Sequence, residues 1–436
     1  MSENTAREVA LELLVKTEQL GMYSNIALNS ALKKYHFLSP VDRRFISVLY
    51  YGVIERRITL DFIIKKYSSH PKKLSTELQN ILRLGLYQLL YMDTVPESAA
   101  VNESVKLAKG LKNTAATGYV NAILRSFLRD GCKLPKTGVK LKDMSIEYSI
   151  PEWIIKLWLK ELGEETTLSI LENSFKRAPM TARFNTLRFT CDEILSELLQ
   201  EGVSAKKPVD SLDGCYDLSG CGSIEDLSAY KKGMLHIQDI SCQLCCHELG
   251  AKPGDVVLDM CSAPGGKAFT TAEMMGGLGH IFAYDLHKNR VRLVESGAKR
   301  LGLANITAAE NNAKVYNDKI PAADRILCDV PCSGLGVIRR KPDIKYRMRD
   351  DFDNLAATQY QILETSSKYL KPGGVMIYST CTLRRAENDE IVNKFLTAHP
   401  EFKPEKLTHF TGSSVSITPN ILPGDGFYIA KLCRRA

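Results

Sequence analysis

The 436-residue chain is 44% hydrophobic and 25% charged, the composition of a globular protein with more than one domain. It has no apolar run of membrane-spanning length and no signal-peptide pattern over residues 1–15, so the sequence predicts neither membrane insertion nor secretion. Its net charge of +8 favours a nucleic-acid partner only weakly. The twelve scattered cysteines predict free thiols, and therefore a reducing cytoplasm, instead of a disulfide framework.

Residues 1–130 predict an all-helical bundle. Apolar side chains recur there at intervals of three and four, as in Leu82, Leu86 and Leu89, which is the spacing of one helix face. Pro96 ends one predicted helix just before the next begins. Basic side chains are scattered along these helices, and each by itself is typical of a solvated helix face.

A linker and a small second domain are predicted next. Residues 131–145 combine Pro, Gly and several lysines with little apolar periodicity, which is typical of a linker. Residues 146–233 then alternate between a helix at 150–173, a strand at 181–187 and a helix at 191–200, followed by short extended stretches. This pattern predicts a small α+β domain.

Residues 234–436 predict an α/β domain. Short apolar runs that end in a polar residue alternate with helical stretches, and this alternation favours a parallel, doubly wound, Rossmann-like sheet. The predicted strands cover residues 256–259, 280–285, 325–329 and 374–379.

The first strand of this domain runs into a glycine turn after Asp259. Doubly wound sheets bind ligands at the carboxyl ends of their strands, where a glycine turn lets the backbone approach the ligand. The order of residues matches neither a phosphate loop nor a Gly-x-Gly-x-x-Gly fingerprint. A tight turn needs one glycine, whereas this segment has two glycines and a lysine, which favours ligand binding. The candidate ligand-binding residues in the turn are Cys261, Ser262, Ala263, Pro264, Gly265, Gly266 and Lys267.

The second strand ends at Asp285. A carboxylate in this position commonly accepts hydrogen bonds from ribose hydroxyls, although a lone Asp at a strand end is as often a helix cap. Together with the glycine turn, Asp285 favours a cofactor that carries a nucleoside.

Two later strands end in turns that contain cysteines. Asp329 precedes Pro331 and Cys332, and Cys381 follows Thr380. Buried cysteines are usually inert, but strand-end cysteines at a ligand-binding edge are candidates for nucleophilic catalysis. The residues alone do not decide which of the two thiols attacks a substrate.

These motifs resemble those of the RNA cytosine-5 methyltransferase family. The resemblance rests on residues 259–267, 329–334 and 379–382, which occur in the family's order, and it extends to Glu387-Asn388 and to 424–428. Residues 95–103 and 119–125 look like parts of a NusB-type helical RNA-binding domain. The combination covers nearly the whole chain and is similar to bacterial enzymes that modify 16S ribosomal RNA.

The resemblance implies S-adenosylmethionine as the cofactor and RNA as the substrate, either 16S ribosomal RNA or an assembling small-subunit particle. Cys381 is implied to attack C6 of a cytosine, Asp329 to hydrogen-bond the base and to contact the cofactor, and Cys332 to act in release of the product. The implied cofactor contacts include the glycine turn and Asp285. They also include Asn312, which stands where the family often has an acidic residue near the adenine.

Three other functions fit parts of the sequence. The same core can act on transfer RNA or another RNA, and a non-catalytic RNA-binding assembly factor can retain the fold. A scaffold has no need of both thiols, which argues against the assembly factor. A small-molecule methyltransferase is disfavoured because two regions resemble accessory RNA-binding domains.

Further polar residues suggest RNA contacts or a metal. The basic side chains after the Pro-Cys turn favour phosphate contact over a plain solvated loop, and the resemblance places Arg183 and Asn185 in an RNA-facing position. The cysteines and histidine of 242–247 lack a second ligand pair, so we predict a helix packed on the sheet and no metal site. The basic side chains are Arg339, Arg340, Lys341, Lys345 and Arg347.

Overall fold

The computed structural model describes residues 5–111, 113, 115–347, 352 and 354–436. The contacts within the chain divide it into two units. Unit 1 contains the chain up to Lys160 together with 340–347, and unit 2 contains Glu161–Arg339 and the chain from Met348 onward. Among the described residues, no helix is both long enough and apolar enough to cross a membrane.

Unit 1 is helical throughout its described part, as the sequence predicts. Thr5 caps the first helix through a capping box with Glu8, and Ser39 followed by Pro40 begins the third. Inside the bundle, Arg83 is 3% exposed and is paired with Asp61 at 2.6 Å. The helices are α1 (Ala6–Leu20), α2 (Ser24–Lys34), α3 (Pro40–Tyr67), α4 (Thr76–Tyr91), α5 (Glu97–Lys109), α6 (Ala115–Arg129), α7 (Lys140–Tyr148) and α8 (Glu152–Leu162).

Two details of the helices differ from the sequence prediction. Helix α7 begins inside the segment 131–145 that was predicted to be a linker, and it buries Met144 and Ile146. The lysines of α7 obscure its helical pattern in the sequence, because only a few of its side chains are buried. The single helix predicted over 150–173 is two helices, since Gly163 has φ +82° and separates α8 from the next one.

Unit 2 begins with a helix and a four-stranded antiparallel sheet. The sheet has the order β2-β3-β1-β4, and the Phe184 ring stacks on Tyr216 with centroids 4.2 Å apart. The predicted α+β character of this region is confirmed. The elements are α9 (Glu164–Asn173), β1 (Met180–Phe184), α10 (Cys191–Gln200), β2 (Ser204–Lys206), β3 (Cys215–Ser219), α11 (Ser228–Lys231) and β4 (Leu235–Ile237).

The rest of unit 2 is built on a larger sheet flanked by helices. Its strands follow the order β10-β12-β9-β8-β5-β6-β7, with β11 paired to β12. The elements are α12 (Ile240–Leu249), β5 (Val256–Asp259), α13 (Gly266–Met274), β6 (His280–Asp285), α14 (Lys288–Leu301), β7 (Ile306–Glu310), β8 (Ala323–Asp329), α15 (Leu355–Ser367), β9 (Leu370–Thr380), α16 (Asp389–Ala398), β10 (Phe402–Pro404), β11 (Ser414–Ile417) and β12 (Phe427–Arg434).

The parallel, Rossmann-like part of this sheet is confirmed, and an antiparallel edge is added to it. Strands β5 to β9 pair in parallel, whereas β12 runs antiparallel to β9, β10 and β11. From β5 the chain continues to β6 on one side, and β8 lies on the other side. The strand order therefore reverses at β5, and this switch point opens a crevice at the carboxyl ends of the strands.

Candidate active site

The glycine turn after β5 is held by backbone hydrogen bonds and by one arginine. Ser262 N donates to Tyr284 O at 2.7 Å, and Arg290 Nη2 donates to Ala263 O at 2.6 Å. Gly265, at the start of α13, has φ +109°, and a Cβ there would lie 2.4 Å from the Phe269 ring. Only glycine fits this backbone.

A cavity of about 380 Å³ lies at the carboxyl ends of the strands. The predicted residues Pro264 and Gly266 instead line a second cavity of about 490 Å³, and Ser262, Gly265 and Lys267 are absent from the described lining of both. Seven predicted site residues line the first cavity, namely Cys261, Ala263, Asp285, Asn312, Asp329, Cys332 and Cys381.

The lining of the 380 Å³ cavity includes polar groups that suit a ligand with a nucleoside. The buried Asp285 carboxylate accepts His287 N–H at 3.1 Å and pairs with Arg290 at 3.0 Å. Asn312 Oδ1 accepts Lys314 N–H at 3.1 Å, so its side-chain amide is held in the lining. The volume lies within the range of small-molecule sites, and a fixed carboxylate and a fixed amide in the same lining can receive a ribose and a purine.

Asp329 is held by two partners. Lys267 Nζ lies 2.7 Å from Asp329 Oδ2, and Ser379 Oγ donates to Asp329 Oδ1 at 2.9 Å. Burial by itself would lower the pKa of Lys267, but the Asp329 carboxylate and nearby thiols outweigh it and raise the pKa well above its ordinary value. Lys267 therefore stays charged and fixes one face of the Asp329 carboxylate.

The two predicted catalytic thiols meet beside Asp329. Cys332 Sγ lies 3.2 Å from Cys381 Sγ, although 49 positions separate the residues in the chain. Their turns are tied together, because Gly336 N donates to Cys381 O at 2.9 Å and the hydroxyls of Ser333 and Thr382 are 2.7 Å apart. The convergence expected from the strand order is thus present in the structure.

Glu387 and Asn388 lie beneath the two cysteine turns. In the sequence this pair is part of the family resemblance and has no predicted role of its own. Glu387 Oε2 accepts Ser333 N–H at 2.8 Å, while Asn388 Oδ1 accepts the Thr380 hydroxyl at 2.6 Å and Asn388 Nδ2 donates to Thr382 O at 3.0 Å. Glu387 therefore holds the turn of Cys332, and Asn388 holds the turn of Cys381.

The prediction that Arg183 and Asn185 face RNA is wrong. Arg183 is 5% exposed and its Nε lies 3.1 Å from the buried Glu273 carboxylate. Asn185 is fully buried, and its Nδ2 donates to Gly233 O and Leu301 O. Both side chains are bonded inside unit 2, so neither can meet a phosphate.

Two side chains of the basic run after the Pro-Cys turn are bonded within their own units. In unit 1 Lys345 is 2% exposed and its Nζ donates to Glu55 O at 2.6 Å, so the prediction of phosphate contact is wrong for this residue. In unit 2 Arg339 Nη2 donates to Gly424 O at 3.0 Å and lies 3.4 Å from Asp425. These internal hydrogen bonds are needed because a buried cation is destabilising unless it has a partner.

The segment with clustered cysteines and a histidine, 242–247, is helical as predicted. It lies in α12, and Leu244, Cys245 and Leu249 join the apolar cluster on the large sheet. Within the part of the chain that the structure describes, no three His, Cys, Asp or Glu side chains are grouped as a metal site would require.

The fold and the cavity define the class of protein as an S-adenosylmethionine-dependent methyltransferase with a Rossmann-like catalytic domain. The family described as 16S rRNA methyltransferase RsmB/F matches residues 247–433, and the NusB family matches 4–129. A ferredoxin-like domain of RsmF/B-like methyltransferases matches 150–216. The predicted cofactor and the three-part architecture are confirmed.

Whole-length relatives narrow the assignment. A probable ribosomal RNA small subunit methyltransferase B from Bacillus subtilis (strain 168) is 35% identical over 449 residues, covering 100% of both chains. The ribosomal RNA small subunit methyltransferase B of Serratia proteamaculans (strain 568) is 32% identical, covering 91% of this chain and 92% of its own. The chain belongs to the RsmB/F family of 16S rRNA methyltransferases.

Solved structures agree with this fold. The crystal structure of PH0851 superimposes with a TM-score of 0.82 at 25% identity, covering 97% of this chain and 98% of its own. A methyltransferase homolog protein from Pyrococcus horikoshii gives a TM-score of 0.60 at 26% identity, covering 68% of this chain and 99% of its own.

Proposed function

We propose that the protein methylates C5 of a cytosine in 16S ribosomal RNA through a covalent bond between Cys381 and C6 of the base. The observation that carries the proposal is the pair of thiols 3.2 Å apart, on a cavity that also contains Asp285 and Asp329. The names of the whole-length relatives support ribosomal RNA as the substrate.

A covalent step is needed because C5 of cytosine is a poor nucleophile. The Cys381 thiolate adds to C6, and the electron pair of the C5–C6 double bond moves toward C5. Bound S-adenosylmethionine would supply an electrophilic methyl group to that carbon, and S-adenosylhomocysteine would leave with the electron pair of the broken S–CH3 bond. The C5 proton then passes to water, its bonding electrons rebuild the double bond, and the sulfur of Cys381 leaves as a thiolate while Cys332 assists its release.

Asp329 and Lys267 orient and stabilise the base in this scheme. Asp329 accepts a hydrogen bond from the N4 amino group of the cytosine, because Lys267 and Ser379 occupy other positions on its carboxylate. The Lys267 charge offsets the negative charge that develops on the ring after Cys381 adds. Asp285, Asn312 and two residues of the glycine turn, Cys261 and Ala263, would hold the cofactor in this cavity.

We also propose the domain boundaries given by the sequence, with a helical RNA-binding domain at 1–130, a second RNA-binding domain at 146–233 and the catalytic domain at 234–436. The matches to the NusB family and to the ferredoxin-like domain support these assignments. A separate RNA-binding part is expected because one cytosine must be selected in a long RNA.

Bisulfite sequencing of 16S ribosomal RNA tests this function. We expect one protected cytosine that is lost when the gene is deleted and restored by the wild-type chain but not by Cys381→Ala. Restoration by Cys381→Ala would instead show that Cys381 is not the nucleophile. Loss of protection in transfer RNA, with 16S RNA unchanged, would point to a different RNA substrate.

A further inference from the structure

The two thiols at the site share one ionisation. At an Sγ–Sγ distance of 3.2 Å, Cys332 and Cys381 interact strongly enough that the first proton lost belongs to the pair. The remaining S–H then donates to the thiolate. Both side chains are half-buried, so access by itself favours neither. Their surroundings decide which sulfur carries the charge.

The side chains that hold the two cysteine turns differ in charge. The turn of Cys332 is held by a carboxylate, since Glu387 accepts the N–H of Ser333, the next residue in the chain. The turn of Cys381 is held by the neutral amide of Asn388 through Thr380 and Thr382. The side chain of Glu387 is 1% exposed, so water screens its charge poorly.

We propose that Glu387 is a positioning residue that keeps Cys332 protonated and thereby assigns the thiolate to Cys381. The inference deepens the proposed function, since it explains why the downstream cysteine is the nucleophile. A negative charge next to the Cys332 turn disfavours a second negative charge on that sulfur. The pair therefore ionises at Cys381, and the Cys332 thiol donates a hydrogen bond to it.

Other charged groups near the pair are consistent with this assignment. Arg384 Nη1 lies 3.1 Å from Glu387 Oε1 and offsets part of the carboxylate charge, while Gln359 Nε2 donates to Glu387 Oε2 at 2.9 Å. Asp329 is paired with Lys267. The hydrogen bond with Cys381, then burial, then the negative charges of Cys381, Glu387 and Asp329 raise the pKa of Cys332 well above its ordinary value.

The same arrangement gives Cys332 a role in release. After methylation the bond between Cys381 and C6 must break, and the electron pair goes to the Cys381 sulfur. A Cys332 thiol that donates to that sulfur stabilises it as a leaving group. No redox step or additional reactant is involved, because the Cys332 proton stays on Cys332.

Thiol labelling without RNA or cofactor tests the assignment. Purified full-length protein is treated briefly with limiting iodoacetamide between pH 6 and 9, and alkylation is located by mass spectrometry. Fragmentation is required for Cys332, because it shares a tryptic peptide with the buried Cys328. We expect Cys381 to be labelled at least about tenfold faster than Cys332, the preference given by a pKa difference of about one unit.

Two substitutions at 387 separate charge from hydrogen bonding. Glu387→Gln keeps an acceptor for Ser333 N–H but removes the charge, so the preference for Cys381 should fall to about threefold or less, which is under half a pKa unit. Glu387→Asp keeps the charge with a shorter side chain and should retain the preference. A purely structural role predicts the opposite order. Glu390→Gln, a matched removal of an exposed carboxylate on α16, should change nothing.

The inference is overturned if wild-type Cys332 is labelled as fast as Cys381, or if Glu387→Gln keeps the wild-type ratio. Thermal unfolding of each variant identifies any that misfold. If Glu387→Gln misfolds, Glu387→Asp decides the question: retention of the labelling ratio of Cys381 to Cys332 supports the inference, and its loss overturns it. The labelling result is independent of the RNA substrate, so failure of the inference can be distinguished from failure of the proposed methylation.

Discussion

Lys267 Nζ and Asp329 Oδ2 lie 2.7 Å apart, and they join the glycine turn after β5 to the tip of β8. The lysine side chain is 10% exposed and the aspartate side chain 30%. A charge that is this far from water depends on its partner, so the two residues stabilise each other. The resemblance implies a cofactor contact for Lys267, whereas in the structure its Nζ donates to Asp329 Oδ2 at 2.7 Å and to Cys242 Sγ at 3.5 Å.

Lys267→Met should therefore impair catalysis and stability together. We expect the free energy of unfolding to fall by about 2 kcal/mol, the value of a hydrogen bond between charged groups, and methyl transfer to fall at least about tenfold. Urea unfolding and transfer of a labelled methyl group to RNA measure the two effects. Lys267→Arg, which keeps the charge, should lose less of both, and equal losses would contradict the electrostatic role.

Substitution of the two thiols should give different covalent complexes with RNA. Cys381→Ala should lower turnover by about 10³-fold or more and form no adduct, because the attacking sulfur is gone. Cys332→Ala should accumulate enzyme bound to RNA, because the departing Cys381 sulfur loses its hydrogen-bond donor. A denaturing gel with labelled RNA separates these outcomes. A trapped complex with Cys381→Ala would reverse the roles of the two residues.

Asp259 at the end of β5 should make stability depend on pH. Burial, opposed by the charge of Lys267, raises the pKa of Asp259 to about 7, against an ordinary value of 3.8. The contribution of Asp259 to stability is fully present below pH 3.8 and is lost as the pH rises toward 7, because only the unfolded chain ionises readily in that window.

Asp259→Asn should remove this dependence. The variant should match the wild type near pH 4 and exceed its local stability above pH 7 by at least about 1 kcal/mol, the equivalent of roughly one pKa unit. Hydrogen exchange of peptides from β5 and α13, compared between the two proteins at the same pH, measures the difference and cancels the intrinsic pH effect. A constant difference from pH 4 to 8 would show that burial of the carboxyl has no such role.

The elements that the sequence predicts correctly are those specified by residues close together in the chain. The predicted strands 256–259 and 280–285 coincide with β5 and β6, because buried parallel strands appear as apolar runs that end where the polar edge begins. The predicted helix 191–200 coincides with α10, where Thr190 forms a capping box with Glu193.

The parts that were missed depend on contacts between distant residues. The antiparallel edge formed by β12 was not predicted, and its register with β9 pairs Tyr428 with Thr380. Ser333 and Glu387 are 54 positions apart, so the role of the carboxylate is invisible until the two turns meet. Thiol convergence was predictable because strand ends in a parallel sheet share one edge.

Arg183 illustrates how a charged residue misleads sequence analysis. Its partner Glu273 is 90 positions away, and burial raises the pKa of Glu273 to about 7 even though Arg183 opposes the shift. Arg183→Met should lower the free energy of unfolding by about 3 kcal/mol, since it leaves a buried carboxyl without its cation.

RNA binding distinguishes this structural role from direct RNA contact. At temperatures where Arg183→Met is folded, the slope of log affinity against log salt should equal that of the wild type, because no phosphate contact is removed. Filter binding across a range of KCl concentrations measures the slope. A decrease of about one in that slope, with unchanged stability, would restore Arg183 to the RNA-binding surface.

Gly336 should be intolerant of any side chain because two turns meet at its Cα. A Cβ at this position would lie 2.0 Å from Gly426 O and 2.9 Å from Cys381 O. Gly336→Ala therefore has to separate the Pro-Cys turn from Gly426 and also crowds the Thr-Cys turn, and a displacement of even 1 Å at a nucleophile can lower the rate by about a hundredfold. Methyl transfer to RNA measures that loss.

Gly118→Ala provides the matched control for Gly336→Ala. Gly118 is exposed in α6, and a Cβ there would meet nothing within 4 Å. Alanine at that position should leave methyl transfer unchanged and stabilise the helix by about 0.5–1 kcal/mol, the difference in helix propensity between the two residues. If Gly336→Ala retains full activity in the same assay, then the close approach of the two turns does not set the position of Cys381.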